Sequence, residues 1–343
     1  MYSKMRERMK RFFYLCLVFF ACFFNRSVYS QALPVHRHIV YKTYVIDIIT
    51  QKPSFAFSSR KLSRDYTGYS IRVRRSTDNA EADLSFDENE VVSDNSVATI
   101  AVPGTSGFVV GNMMTLATFR SSSTLYVSIW YDQSTNAFNA IQTVAAVQPI
   151  FEMNSAGASN QYPSILFAGL TNPKNVVVNK PMETLLGNVT AGMGLRGTVG
   201  MVAKTTSNSN QFSFGYSAGA VRWSSHMNWS DGNCYVDLGN AADINRSFVN
   251  SGRINLYKQY TLARGASTKT MRVSGAMLSN NVAQTYNTGL SGGTFGIGLG
   301  ISSPAQTIGF SGNIPEFILY PEYLTLGQMN LLEISQLNFW KSY

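Results

Sequence analysis

Between positions 223 and 240 the chain gathers the side-chain types that hold sugars. Trp223, Trp229 and Tyr235 offer ring faces, and Asp231, Asn233, Asp237 and Asn240 offer hydrogen-bonding groups. Sugar rings present apolar C–H faces to aromatics and hydroxyls to short polar side chains, so this mixture is a candidate glycan-binding set. The same types also serve structure. Aromatic residues in strands usually lie in the core, and Trp223 and Tyr235 read that way. Trp229 sits in the polar turn Asn228-Trp229-Ser230-Asp231-Gly232 and reads as exposed. Asp231-Gly232 is equally an ordinary hairpin turn pair.

Other candidate chemistry is weaker. Cys234 reads as a buried small hydrophobe and not as a nucleophile, because free Cys is among the most buried residue types. His36 and His38 could share a metal ion, but closed sites want three or four ligands and no third stands nearby, so they read as part of a solvated segment. Gly296-Ile297-Gly298-Leu299-Gly300 has no phosphate-loop lysine and no following helix signal. No cofactor and no metal site are expected. Arg72 and Arg74 alternate with Ile71 and Val73, which places the arginines on the face opposite the core. With Asp65, Asp78, Glu81 and Asp83 near in sequence, they read as a salt-bridged strand face.

The net charge of +9 points first to nucleic acid, and the N-terminus removes that reading. Residues 1–11 are basic and residues 12–24 form an apolar run of 13, the pattern of a secretory signal peptide and too short for a membrane span. Cleavage near Ser30 takes six basic residues and one acidic residue with it, leaving 22 basic against 18 acidic residues and a net +4. The expectations are a secreted, periplasmic or cell-surface protein, no nucleic-acid partner, no membrane span after cleavage, and Cys234 alone with no intramolecular disulfide.

The elements that position the candidate residues are strands. Residues 39–49, IVYKTYVIDII, read as a first strand within an N-terminal lead-in segment spanning 31–54. Residues 125–142, LYVSIWYDQSTNAFNAIQ, begin as an alternating strand and stop at Asp132 to Asn136, whose short polar side chains bond nearby backbone and turn the chain. Residues 85–124 and 152–195 read as Gly-, Ser- and Asn-rich loops with brief strands. Beyond 197, short strands at roughly eight- to twelve-residue spacing indicate an antiparallel sandwich or barrel. The chain ends differently. Thr325 and Gln328 fit a capping box, and residues 326–340 read as a short C-terminal helix against the sandwich.

Two stretches carry a family resemblance. Residues 58–84, SSRKLSRDYTGYSIRVRRSTDNAEADL, and residues 129–142, IWYDQSTNAFNAIQ, resemble the catalytic domain of α-L-arabinofuranosidase B, a family 54 glycoside hydrolase. The segments HMNWSDGNCYVDLGN and FILYPEYLTLGQMNLLEISQLNFW also resemble laminin-G-like members of the same superfamily. The resemblance implies an all-β, antiparallel, concanavalin A-like jelly-roll β-sandwich over residues 55–343. It also implies two catalytic carboxylates, which a retaining glycosidase holds about 5 to 5.5 Å apart. The family's V-D-M-E-N nucleophile segment matches Val236-Asp237-Leu238-Gly239-Asn240, which puts Gly239 where the Glu belongs. The G-I-G-G-D acid segment matches residues 296–300 and puts Gly300 where the Asp belongs. Asp237, two residues from Gly239, is the fallback nucleophile, and the next carboxylate after Gly300 is Glu316 in a different strand. Calcium, common in the superfamily, would need more clustered oxygen ligands than the sequence shows.

The expected function is therefore a non-catalytic module that binds a polysaccharide or surface glycan through Trp229, Asp231, Asn233, Asp237 and Asn240. Two alternatives stand beside it. One is an active arabinofuranosidase-like hydrolase; the other is a self-assembling structural surface subunit that uses the polar loops as contacts.

Overall fold

The computed structural model describes residues 44–157, 159–169, 173–188, 195–218, 221–239, 246–282, 294–300 and 308–342. Residues 1–30, where a signal peptide is expected, and His36, His38 and Asn240 lie outside these.

The first half contains helical turn α1 (Val45–Ile48), strands β1 (Phe55–Ser58), β2 (Ile71–Arg75), β3 (Glu81–Leu84), β4 (Val97–Val102) and β5 (Met113–Thr115), helix α2 (Leu116–Arg120), then β6 (Leu125–Trp130), β7 (Ala140–Ile141), β8 (Ile150–Ala156), β9 (Tyr162–Phe167) and β10 (Val176–Val178). After helical turn α3 (Met182–Leu185) come β11 (Gly187–Asn188), β12 (Leu195–Thr205), β13 (Phe214–Ala218), β14 (Val221–His226), β15 (Asn233–Leu238) and β16 (Ser247–Val249). The chain closes with β17 (Lys258–Arg264), β18 (Thr268–Val273), β19 (Ala276–Val282), β20 (Phe295–Ile297), β21 (Gly312–Tyr320) and helix α4 (Leu326–Trp340).

All pairings are antiparallel and make two layers, an all-β sandwich with a C-terminal helix. The front layer runs β5-β4-β3-β2-β6-β7-β10-β20-β13-β14-β15-β16. The back layer runs β19-β18-β17-β12-β21, with β1 and then β9 along the far side of β21 and β8 beyond β9. A pairing between β6 and β8 joins the layers. Strand alternation turns one face of each layer inward. Ile71, Val73, Trp130, Phe214, Trp223 and Val236 meet Phe55, Phe57, Val199, Leu262, Phe317 and Leu319 in one core. Rings link the layers: Phe57 lies 5.3 Å from Trp130, and Phe214 lies 5.4 Å from Phe317.

The Asp132 turn holds the layers in register. Asp132 Oδ1 accepts from the amides of Ala56 and Ser134, each at 2.8 Å, and Oδ2 accepts from Ser134 Oγ and the Phe138 amide. Gln133 accepts from the Leu62 amide and donates to the carbonyls of Ser58 and Arg60. The polar run that ends β6 is thus a clamp on β1 in the opposite layer.

The expected strand over 39–49 is corrected within its described part, because Val45–Ile48 is one helical turn. Val45, Ile46 and Ile49 are all buried, and that spacing shares a face only in a helix. The turn also lets Asp47 reach out to Ser63 Oγ and the Arg64 amide.

Helix α4 covers the outer face of the back layer. Thr325 Oγ1 accepts from the Gln328 amide while Gln328 Oε1 accepts from the Thr325 amide, the expected capping box. Its buried stripe is Met329, Leu332, Glu333, Gln336 and Trp340. Gly200 of β12 admits the helix at close range, since a Cβ there would strike Leu332.

Charges fix the same helix. Glu316, fully buried in β21, takes two hydrogen bonds from Arg60 at 2.7 and 3.0 Å and one from Trp340 Nε1 at 2.9 Å. Arg272 clasps Glu333 with two bonds of 2.7 Å. Burial alone would push the Glu316 carboxyl up, but Arg60 and the Trp340 and Gln336 hydrogen bonds outweigh it and hold the group below the usual carboxylate range. Glu316→Ala would leave Arg60 buried without its partner, and urea unfolding is expected to show a loss of about 3–5 kcal/mol. Because the folded value is depressed, the stabilisation is present above the unfolded value of about 4.3 and is lost as pH falls through the folded one. The acid limb of a Tm-against-pH curve should be steeper in the wild type than in Glu316→Gln.

Candidate functional site

Register places one row of residues across the outer face of the front layer. From β3 to β15 it reads Asp83, Arg72, Ile129, Ile141, Val177, Gly296, Gly215, Ser224, Asp237. Core residues alternate with this row. Asp237 therefore faces away from Val236 and Leu238, as the two-residue period of β15 requires.

Asp237 is fully buried all the same, within a polar cluster from neighbouring strands. Its Oδ2 lies 2.7 Å from Arg246 Nη2, 3.2 Å from His226 Nε2 and 3.7 Å from Arg222 Nη1. Asp237 Oδ1 and His226 Nδ1 have no hydrogen-bond partner among the described residues. Burial pushes the His226 imidazole down, against the pull of Asp237, so the ring is neutral near pH 7. Ser224, His226 and Asp237 have the composition of a catalytic triad without its geometry. Ser224 Oγ, at 3.4 Å, and Asp237 both address Nε2, whereas a relay needs them on opposite ring nitrogens.

Aromatic rings border this cluster. Phe212 packs on His226 at 4.0 Å between centroids, and Trp229 stands edge-on to His226 at 4.9 Å, to Phe212 at 6.3 Å and to Tyr235 at 6.4 Å. Trp229 is half-buried and not exposed as its polar turn suggests, because its ring packs against Phe212, His226 and Tyr235. Its turn closes by a bond from the Trp229 amide to the Asn233 carbonyl and one from the Gly232 amide to the Trp229 carbonyl. Gly232 has φ +80°, the left-handed region that favours glycine.

Asp231 and Asn233 mainly build this turn. Asp231 accepts from the Asn233 amide, from Asn233 Nδ2 and from the Tyr235 hydroxyl, the last at 2.6 Å. These bonds, Tyr235 first, hold its carboxyl below the usual range. Tyr235 corrects the core expectation: it is half-buried on the outer face, with the Arg246 guanidinium 5.0 Å from its ring centroid. The alternation of β15 around buried Cys234 and Val236 decides this. Trp223 is fully buried, as expected. Cys234 is fully buried too, and burial pushes its thiol up to about 12, so it is no nucleophile at neutral pH.

The positions matched to the family's catalytic pair are Gly239 and Gly300. Gly239 follows β15 with φ +109°, its amide bonded to the Arg222 carbonyl. Gly300 follows β20 and lies under Phe212, and a Cβ there would collide with the ring. In the strand register Gly239 lies beyond Leu238 on one side of the row Ile297-Phe214-Ser225-Val236, and Gly300 lies beyond Ile297 on the other. Between Gly300 and Asp237 stand the rings of Phe212 and His226. Phe212, Arg222, His226 and Arg246 escape a sequence reading that looks for carboxylates. His226 could have been found, since it lies two residues from Ser224 in the same strand and shares its face.

No family model and no curated protein sequence matches the chain. Among solved structures, it is similar to a GH54 α-L-arabinofuranosidase soaked with a cyclic sulfate inhibitor, at a TM-score of 0.56 and 15% identity over 85% of this chain. It is similar also to an arabinofuranosidase complexed with arabinofuranosyl-α-1,2-xylobiose, at a TM-score of 0.56 and 14% identity over 85% of this chain. The likeness spans 63% of each of those chains and shows a shared fold.

The neutral, buried His226 makes a direct prediction. Its pKa is depressed, so its stabilising effect is present above the unfolded value of about 6.5 and is lost as pH falls through the folded one. Imidazole NMR should show the His226 ring titrating below the ordinary value of about 6.5, so that it is less charged at a given acidic pH than a solvated histidine. A ring that titrates at the ordinary value would show that the cluster is open to water.

Proposed function

We propose that the chain is an exported, non-hydrolytic module that binds a polysaccharide or surface glycan at the Trp229 end of the front layer. The observation that carries this reading is a juxtaposition. Half-buried Trp229 and Tyr235 stand beside exposed Asp231, whose carboxylate is fixed by the Tyr235 hydroxyl and Asn233. The fully buried Asp237 lies beneath and is corrected from an expected sugar contact to a structural anchor. Rings for C–H faces and fixed polar atoms for hydroxyls are what a sugar requires.

The non-hydrolytic part rests on the space between Gly300 and Asp237. Double displacement needs a second carboxylate about 5 to 5.5 Å from the first. The Asp237 carboxylate is surrounded instead by His226, Arg222 and Arg246, and Phe212 covers Gly300. Arabinofuranose-containing glycans are the first ligands to test, given the fold shared with arabinofuranosidases. Residues 31–343 should release no nitrophenol from nitrophenyl α-L-arabinofuranoside yet bind on a glycan array, and Trp229→Ala should weaken that binding at least about tenfold, or 1.4 kcal/mol. Hydrolysis that disappears in Asp237→Asn would overturn the reading in favour of a relocated nucleophile.

A second reading, self-assembly, is favoured by one loop. Between β4 and β5, Val109 and Val110 are 60% and 61% exposed, and Met113, the first residue of β5, is 70% exposed. Apolar side chains grouped at a hairpin tip suit contact with another surface. If copies associate there, light scattering should show a concentration-dependent mass that falls to the monomer in Val110→Glu; a monomer at all concentrations removes this reading.

A further inference from the structure

The other half of the front layer's outer face carries a second group of aromatic and polar side chains, far from Trp229. Tyr69 and Tyr131, both half-buried, face each other with centroids 6.0 Å apart and planes inclined at 46°. Both are held from behind. The Tyr131 hydroxyl donates to Asp83 Oδ1 at 2.6 Å, and Arg72 grips the same carboxylate with bonds of 2.8 and 2.7 Å. Tyr66 donates its hydroxyl to the Tyr69 carbonyl at 2.7 Å and packs edge-on to Phe86. The salt-bridged arginine face expected from the sequence therefore holds a pair of rings.

Beside them the register row continues through Ile129, Ile141 and Val177, which are half-buried, 42% exposed and half-buried respectively. A flat aliphatic strip next to braced phenol rings and a guanidinium offers apolar faces and hydrogen-bond donors together. That mixture suits an amphipathic ring ligand better than a purely apolar one. From Asp83 to Asp237 the row crosses nine strands, about 40 Å at the spacing of paired strands, so one sugar ring cannot touch both ends.

We propose that Tyr69, Tyr131 and the Ile129-Ile141-Val177 strip form a second carbohydrate-contact surface. The ligand is then a polysaccharide chain long enough to engage both halves of the front layer, not a single terminal sugar. This rests on the glycan-binding reading and adds the ligand's length to it. Two contacts on one chain raise affinity through effective concentration, so the second surface acts mainly on long ligands.

The test measures binding of the full mature chain to a polymer and to its di- and trisaccharide fragments, for wild type, Tyr69→Ala and Ile141→Thr. The polymer is the one that the array identifies. Ile141→Thr keeps a β-branched residue at an exposed position, so it reports on the surface even if Tyr69→Ala fails to fold. The expected result is polymer affinity reduced about tenfold in either variant, with fragment affinity unchanged. Polymer binding that is unaffected in both variants but lost in Trp229→Ala would overturn the second surface and leave the glycan reading standing. Absence of binding to every glycan by the wild type would overturn both.

Discussion

A buried carboxylate in the middle of the back layer governs how the rest of the structure can be arranged. Glu316 has no access to water, and a charge in that position is tolerated only when it is paired and fully hydrogen-bonded. Arg60 supplies the pair, and Ser58 and Trp340 supply further donors. These partners come from β1 and the residues just after it and from the last turn of α4, so one anion ties three distant parts of the chain together. Arg60 also lies over the Phe339 ring and donates to Ser335. With α4 thus seated, the outer face of the back layer is closed, which leaves the front layer as the broad face available to a ligand.

The front layer changes character along one register row. At one end Arg72, Asp83 and Tyr131 satisfy one another; in the middle Ile129, Ile141 and Val177 form an aliphatic strip; beyond these, Gly296 and Gly215 keep the floor low. The row ends at Ser224 and Asp237, where β14 delivers His226 and Arg222 and the chain before β16 delivers Arg246. Two arginines and a histidine around one carboxylate restrain its position. Such an environment suits a fixed hydrogen-bond acceptor.

Much of the fold was legible because its signals are local. The alternation in β6, the Asp132 turn, the capping box before α4 and the regular strands after residue 197 all depend on neighbours in sequence. The Val45–Ile48 turn was not, since an apolar run with a β-branched start reads as a strand until its burial partners are known. Tyr235 was misread for a related reason. Its type favours a core, and only the alternation set by Cys234 and Val236, together with its bond to Asp231, places it outside. Trp229 was legible as a turn residue, but the rings it stands against were not.

The sequence by itself determined the antiparallel β class, the polar turn after β6, the terminal helix and the segment around Trp229, because each follows from periodicity, turn chemistry or residue type over short distances. Tertiary structure alone decided that Asp237 is a buried acceptor between two arginines and a histidine, that Phe212 covers Gly300, and that Tyr69 meets Tyr131. Those relations join residues of different strands, and strand register rests on packing between side chains distant in sequence, which no local pattern encodes.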